Sequence, residues 1–265
     1  MNNLTRGVYL LSGLHLNNYN LRTWRFIVMS QISQETGQRS WIALLLVGIG
    51  VAAAIGGVGW WGSFLAVIGL GLLAEVQIRQ MACHGKKKGR WLHSFLLVAS
   101  GLVGLWVMYE LRRTTKGTAL IILCAVMIIS FDTFSYFGGK RVKRLGGGHK
   151  IAPIESPNKT VEGAAIGYVC SLIAGMITLG IIPVFSGMHL GWSVVLIVVV
   201  PVFAYLGDIN ESMAKRRLCV GSWTHETVSI KDFSNVLGAH GGVCDRFDSW
   251  FAVFSTVGLV WRLSL

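Results

Sequence analysis

Charged side chains are scarce in this sequence of 265 residues. They make up 14% of the chain, whereas soluble domains carry about 25%. Hydrophobic residues reach 53% of the chain, and the mean hydropathy is +0.58. The shortage of charge excludes an ordinary soluble domain and indicates a membrane protein.

The cysteines are too few and too far apart in the sequence to indicate a disulfide framework or a zinc site. None of the five cysteines forms a CxxC pair, and most lie in or beside apolar segments. This spacing argues against a zinc site and against a disulfide framework. The polar segments also lack a Walker A motif, which excludes a P-loop. The cysteines are Cys83, Cys124, Cys170, Cys219 and Cys244.

Acidic residues are half as common as basic ones, with 12 Asp and Glu against 24 Lys and Arg. A formal net charge of +12 is compatible with nucleic-acid binding. The cations, however, lie in short segments between apolar runs, which is typical of cytoplasmic loops beside anionic lipid headgroups. We therefore expect membrane lipids and phosphorylated substrates as partners, and no nucleic acid.

The apolar runs predict an all-α, polytopic transmembrane fold. A span needs about 20 residues, and the chain offers about seven such segments. We divide it into a polar N-terminal segment, residues 1–40, and a transmembrane domain, residues 41–265. Met29 offers an alternative translation start, so the N-terminal segment is expected to be partly untranslated or disordered. The predicted spans are residues 41–57, 60–81, 91–109, 118–138, 163–185, 191–207 and 244–262.

Basic loops predict the orientation in the membrane. The positive-inside rule places strongly basic segments in the cytoplasm, and residues 84–90, 139–162 and 209–231 are of this kind. A path with seven spans leaves Arg112 and Arg113 outside, so either this loop violates the rule or an early span is miscounted or re-entrant. We expect a multi-pass protein of the cell (inner) membrane whose polar site faces the cytoplasm.

The polar segment at residues 131–163 combines cations with glycines, which let backbone N–H groups approach a ligand closely. Ser156, Lys159 and Thr160 cluster just before a predicted helix, and a helix N-terminus binds phosphate readily. This cluster favours a phosphate site, although a plain cytoplasmic loop with a helix cap remains open. Asp132 lies inside the fourth predicted span, near its cytoplasmic end.

Two further segments carry carboxylates where predicted spans end or begin. Asp208, Glu211 and Lys215 share one helical face, and so do Asp245 and Asp248. Mg²⁺ prefers oxygen ligands and usually binds through one or two carboxylates plus substrate phosphates. Because ionisable groups beside a bilayer are costly, their default interpretation is functional. The sequence predicts a site for metal-assisted phosphoryl or nucleotidyl transfer to a lipid.

The polar segments together resemble the signature of the CDP-diglyceride synthase (phosphatidate cytidylyltransferase) family. The resemblance runs from about Phe131 to the C-terminus and is only hydropathic before that. About ten extra residues, within 218–230, interrupt the pattern. The residues 156–163 match a second recurring block of the family. The signature positions are Ser212, Lys215, Arg216, Lys231, Asp232, His240, Gly241, Gly242, Asp245, Arg246 and Asp248.

The resemblance implies that CTP and phosphatidate react to CDP-diacylglycerol and pyrophosphate. It implies Mg²⁺ as the cofactor, leaves a second cation and a homodimer open, and makes Asp208, Asp245 and Asp248 the metal ligands. The implied catalytic residues are Asp208, Asp245, Asp248, Lys215 and His240. The implied substrate-binding residues are Ser156, Lys159, Thr160, Glu162, Arg216, Lys231, Asp232, Gly241, Gly242 and Arg246.

Three alternatives stay open at this stage. A related CTP-dependent enzyme would act on another lipid, such as an ether lipid or a polyprenol. A transporter would place its polar groups near the bilayer midplane on broken helices, whereas here they lie at span ends. A non-catalytic paralogue would explain the extra residues within 218–230, but the retained acids argue against it.

Overall fold

A computed structural model describes residues 55–82, 91–152, 156–185, 190–219 and 242–264 of the chain. These residues are mostly helical, as the apolar runs predict. In chain order the elements are α1 (Val58–Ala82), α2 (Trp91–Arg112), α3 (Thr115–Arg144), β1 (Lys150–Ala152), β2 (Ser156–Thr160), α4 (Val161–Ile181), a 3-10 turn (Pro183–Phe185), α5 (Leu190–Cys219), α6 (Cys244–Val253), a π-helical turn (Phe254–Gly258) and α7 (Leu259–Ser264).

Five of the described helices are long and apolar enough to cross a membrane, which makes this a multi-pass membrane protein. They correspond to the second to sixth predicted spans. The first predicted span, residues 41–57, lies almost wholly outside the described residues. The seventh, residues 244–262, is helical but is not among the five, so the count of seven stays a prediction. The five segments are Val58–Gln77, Ser94–Arg112, Thr115–Arg144, Val161–Ile181 and Gly191–Ala214.

Helices α3 and α5 continue beyond the predicted span ends. Each contains 30 residues and is therefore about 45 Å long, longer than the hydrocarbon core of about 30 Å. Both extensions are rich in long, unbranched side chains, which lose little rotamer freedom in a helix. The extension of α3 carries Lys140 and Lys143, and that of α5 carries Glu211.

The most extensive helix pairing in the described residues joins α3 to α4. Four small residues spaced by four, Gly163, Gly167, Ser171 and Gly175, are buried on one face of α4. Small residues at this spacing let two helix backbones approach closely in a membrane. The Oγ of Ser171 donates a hydrogen bond to the carbonyl of Met127 on α3 at 2.9 Å. This face therefore holds α4 against α3.

Replacing Gly167 by alanine should destabilise this pairing. An added Cβ would lie 2.7 Å from the backbone oxygen of Phe131, which cannot rotate away. We expect a loss of about 1–3 kcal/mol, as for an overpacked core, measured by thermal unfolding in detergent. The matched control is Gly180→Ala on the same helix, where the Cβ meets open space. It should be neutral or stabilising, because alanine favours helix over glycine by about 1 kcal/mol. Equal melting temperatures for the two variants would contradict the packing argument.

A two-stranded antiparallel ribbon, β1 and β2, departs from the all-α prediction. Lys150 pairs with Thr160, and Ala152 pairs with Ser156. The chain can turn back after α3 because Gly146 adopts a φ of 80°, a conformation that other residues rarely take. The ribbon delivers residues 156–160 directly to the start of α4.

Helices α1, α2, α5 and α6 pack around the apolar core that supports the polar side chains. The core includes the fully or nearly fully buried residues Leu72, Val107, Leu111, Phe251 and Phe254. A polar contact also joins α1 to α2. The indole N–H of Trp61 donates to the carbonyl of Met108 at 3.3 Å.

Candidate active site

A cavity of about 590 Å³ opens where α3, the ribbon, α4, α5 and α6 meet. The elements contribute different chemistry: α3 supplies an acid and two lysines, the ribbon supplies hydroxyls and a lysine, and α5 and α6 supply acids. The lining includes Asp132, Ser135, Lys140, Lys143, Ser156, Lys159, Thr160, Tyr205, Asp208, Asp245, Asp248 and Ser249.

Asp208 and Asp248, which line this cavity, lie close to the carboxylate of Glu211, which does not line it. One oxygen each of Asp208, Glu211 and Asp248 lie within 4.8 Å of one another. Glu211 is only 1% exposed and Asp248 only 9%. Like charges so close and so poorly hydrated repel one another strongly, and a cation between them removes that cost. The donors are all hard oxygens, which suit Mg²⁺, so these residues fit the metal that the sequence predicts.

The close approach of α5 and α6 brings these acids together. A Cβ at Gly207 would lie 2.5 Å from the backbone oxygen of Asp248, so a glycine permits the contact. At the next residue of α6, the Oγ of Ser249 donates to the carbonyl of Ala204 at 3.0 Å. The backbone N–H of Ser249 also donates to the Oδ1 of Asp248 at 2.7 Å. These contacts fix Asp248 beside Asp208.

Asp245 lines the same cavity but has a second contact. Its Oδ2 accepts a hydrogen bond from the backbone N–H of Gly242 at 2.7 Å. This bond closes the turn that leads into α6. Asp245 is not one of the three acids grouped within 4.8 Å.

Lys159 lies between the carboxylates of the cavity and its other lysines. Its ammonium forms an ion pair with Asp208 and lies 5.9 Å from the ring centre of Tyr205. The side chain is 21% exposed. Lys140 and Lys143 line the cavity from α3. The cavity therefore offers cations for phosphate oxygens beside carboxylates for a metal.

The ribbon and the start of α4 hold Lys159 in place. The Oγ1 of Thr160 accepts from the N–H of Gly163 at 3.2 Å, which caps α4. Glu162 binds the ribbon from α4: its carboxylate accepts from the backbone N–H of His149 at 3.1 Å and contacts the His149 Nδ1 at 2.6 Å. Glu162 does not line the cavity, so its place favours support of the ribbon over substrate contact.

The predicted site residues fall into three groups. The cavity brings together Ser156, Lys159, Thr160, Asp208, Asp245 and Asp248. Glu162, Gly242 and Arg246 are described but do not line it. Lys215 and Arg216 belong to α5, but their side chains lie outside the described residues, as do Lys231, Asp232, His240 and Gly241 entirely.

Two acids were not assigned to the site from the sequence. Glu211 shares a helical face with Asp208, but only the fold shows its carboxylate within reach of Asp248. Glu75 lies in α1 and is fully buried. The signal that points to Glu75 is simple: it is the one acid inside an apolar predicted span, residues 60–81, where ionisable groups are rare and functional.

Comparisons with known proteins identify the family. The sequence profile of the cytidylyltransferase family matches residues 8–264. A protein named phosphatidate cytidylyltransferase from Staphylococcus saprophyticus is 32% identical over 169 residues, which are 63% of this chain and 58% of that protein. Proteins of the same name from Staphylococcus epidermidis and Staphylococcus aureus are each 31% identical, with the same shares. The match thus spans less than two thirds of these relatives. Because the profile covers almost the whole chain, this protein belongs to the cytidylyltransferase family.

Proposed function

We propose that this protein transfers the cytidylyl group of CTP to phosphatidate, giving CDP-diacylglycerol and pyrophosphate. The observation that carries the proposal is the cavity in which grouped carboxylates face lysines from α3 and β2. Family membership and the names of the relatives support the same reaction. A transporter would need its polar groups near the bilayer midplane on broken helices, and α3 and α5 are unbroken through the site.

The reaction exchanges one phosphorus–oxygen bond for another. An oxygen of the phosphatidate phosphate attacks the α-phosphorus of CTP and forms the new phosphoanhydride bond. The bond between the α-phosphorus and the oxygen bridging to the β-phosphorus breaks, and that oxygen leaves with pyrophosphate. Both substrates are polyanions, so the protein must supply positive charge both to bind them and to stabilise the leaving group.

Asp208, Glu211 and Asp248 would hold Mg²⁺, with Asp245 adjacent. When bound, the ion would neutralise phosphate oxygens and so favour attack at phosphorus. A metal bound to Asp208 would weaken the ion pair between this carboxylate and Lys159. The ammonium of Lys159 would then be able to bind phosphate. The lysines of α3, Lys140 and Lys143, would bind the remaining phosphate oxygens.

The start of α4 supplies the uncharged part of phosphate binding. Ser156 and Thr160 line the cavity, and each carries a hydroxyl group. Backbone N–H groups and the positive end of a helix favour anions at this position. We place the site at the cytoplasmic face of the cell (inner) membrane, because basic segments flank it and CTP would reach it from that side.

The test is the formation of a CTP-derived lipid. Purified protein in detergent–lipid micelles is incubated with CTP labelled at the α-phosphorus, phosphatidate and Mg²⁺, with and without EDTA. We expect a labelled liponucleotide only with Mg²⁺, and none from Asp245→Asn. The asparagine keeps an oxygen for the N–H of Gly242, so loss of product reports the lost charge. An ether lipid phosphate and a polyprenyl phosphate are tested in parallel. Preference for either lipid would replace phosphatidate as the proposed acceptor. If the folded protein forms no product with any of the three acceptors, the proposed cytidylyl transfer is refuted.

A further inference from the structure

We propose that Glu75 is a positioning residue: from α1 it fixes the start of α6 and so orients Asp245 and Asp248 in the cavity. Glu75 does not line the cavity and is not one of the three grouped acids. It must therefore act through the helix that it contacts. The consequence for catalysis rests on the proposed function, whereas the consequence for the structure does not.

The contact joins residues that are far apart in the chain. The Oε1 of Glu75 accepts from the N–H of Val243 at 2.5 Å, and its Oε2 accepts from the N–H of Cys244 at 2.9 Å. The Glu75 side chain is 0% exposed. A Cβ at Gly242 would lie 2.5 Å from the Oε2 of Glu75, so the chain leaves room for the carboxylate by having glycine there.

Three consecutive backbone N–H groups at the start of this helix donate hydrogen bonds to carboxylates. Asp245 accepts from Gly242, and Glu75 accepts from Val243 and Cys244. The first N–H groups of a helix have no partner within the helix, and leaving such a group buried without a partner costs about 1–3 kcal/mol. A negative charge at the positive end of the helix adds to the attraction. A neutral or shorter side chain at position 75 cannot replace both effects.

The contact of Glu75 with the N–H groups of Val243 and Cys244, called the anchor below, lies close to the acids of α6 and can therefore set their positions. Asp245 is the next residue after the anchored Cys244, and Asp248 lies one helical turn further on. A second fixed point of α6 is the bond from Ser249 to Ala204 on α5. Without Glu75, α6 would keep this bond but lose the two hydrogen bonds that join its first turn to α1. The carboxylates of Asp245 and Asp248 would then be displaced from their positions relative to Asp208.

The structural arm of the test does not need enzymatic activity. The thiol of Cys244 is 0% exposed, and so is that of Cys124 in α3. Labelling by a maleimide, followed by peptide mass spectrometry, measures both in the full-length protein. In Glu75→Gln we expect labelling of Cys244 to accelerate roughly tenfold, as expected when a buried donor loses its partner, with Cys124 unchanged. Glu110→Gln is the matched control, because it makes the same chemical change in an acid of α2 that pairs with Arg113.

The catalytic arm measures the dependence of turnover on Mg²⁺. Misplaced ligands should raise the half-saturating Mg²⁺ concentration about tenfold, as for outer-shell changes at other metal sites. Turnover should recover partly at high Mg²⁺, whereas simple loss of folded protein would lower it at all concentrations. If Glu75→Gln does not fold, Gly242→Ala tests the contact from the other side. It should give the same two effects, because its Cβ displaces the carboxylate.

The outcomes are distinguishable. Labelling of Cys244 at the parent rate in both variants would overturn the anchor, whatever the activity. Faster labelling with unchanged Mg²⁺ dependence would overturn the link between the anchor and the acids. If the unmodified protein makes no liponucleotide, the proposed function fails, and the labelling result still decides whether Glu75 fixes α6.

Discussion

Replacing Asp248 by asparagine should lower kcat for liponucleotide formation by about a hundred- to a thousandfold, the effect of removing one preorganised charge from a site. Asp248 is buried, and one of its oxygens lies within 4.8 Å of those of Asp208 and Glu211. The substitution removes a proposed metal ligand but almost no volume. The N–H of Ser249, which now donates to Asp248, still finds an oxygen in asparagine. The protein should therefore fold normally and fail in the chemical step.

Initial rates with saturating CTP and lipid, over a range of Mg²⁺ concentrations, would measure this effect. Glu110→Gln makes the same chemical change in an acid that is outside the cavity, and it should keep parental activity. Thermal unfolding shows whether either variant has lost its fold. A folded Asp248→Asn protein with activity within a few-fold of the parent would remove Asp248 from the metal site.

Lys159→Met should lower kcat/KM by at least about a hundredfold, as expected for a lost electrostatic contact to a phosphate in the transition state. Methionine keeps much of the apolar stem but removes the ammonium, which pairs with Asp208 and lies 5.9 Å from the ring centre of Tyr205. Lys159→Arg would keep the charge in a bulkier and planar form, which does not reproduce a compact ammonium. We expect it to recover only part of the activity.

The matched control for this variant lies in the same ribbon. Lys150 pairs across the ribbon with Thr160, is exposed and does not line the cavity. Lys150→Met also removes one positive charge, so it tests whether the general basic surface matters. We expect rates close to those of the parent. Equal losses for the two lysines would indicate that the ribbon only attracts anions, and that Lys159 has no particular role.

Helix positions are predictable from this sequence because the hydrocarbon core imposes a length. A run of about 20 apolar residues must be helical to satisfy its backbone in lipid, and α1, α2 and α4 begin within two residues of their predicted starts. The ends of α3 and α5 are less predictable, since polar residues can continue a helix beyond the membrane or leave it as a loop. The ribbon is not predictable from apolar patterns, because it is short and polar.

By itself, the sequence determines a polytopic helical membrane protein, the place of its polar segments and the residue types that we propose for metal and phosphate. It also brings Asp208 and Glu211 to one helical face, because helical periodicity reports neighbours three or four residues apart. Only the tertiary structure decides that Asp248 joins these two acids and that Lys159 pairs with Asp208. It alone decides that Glu75 binds the start of α6, 168 residues from Val243. Such contacts depend on which helix faces meet, and the packing of separate helices leaves no periodic pattern in a single sequence.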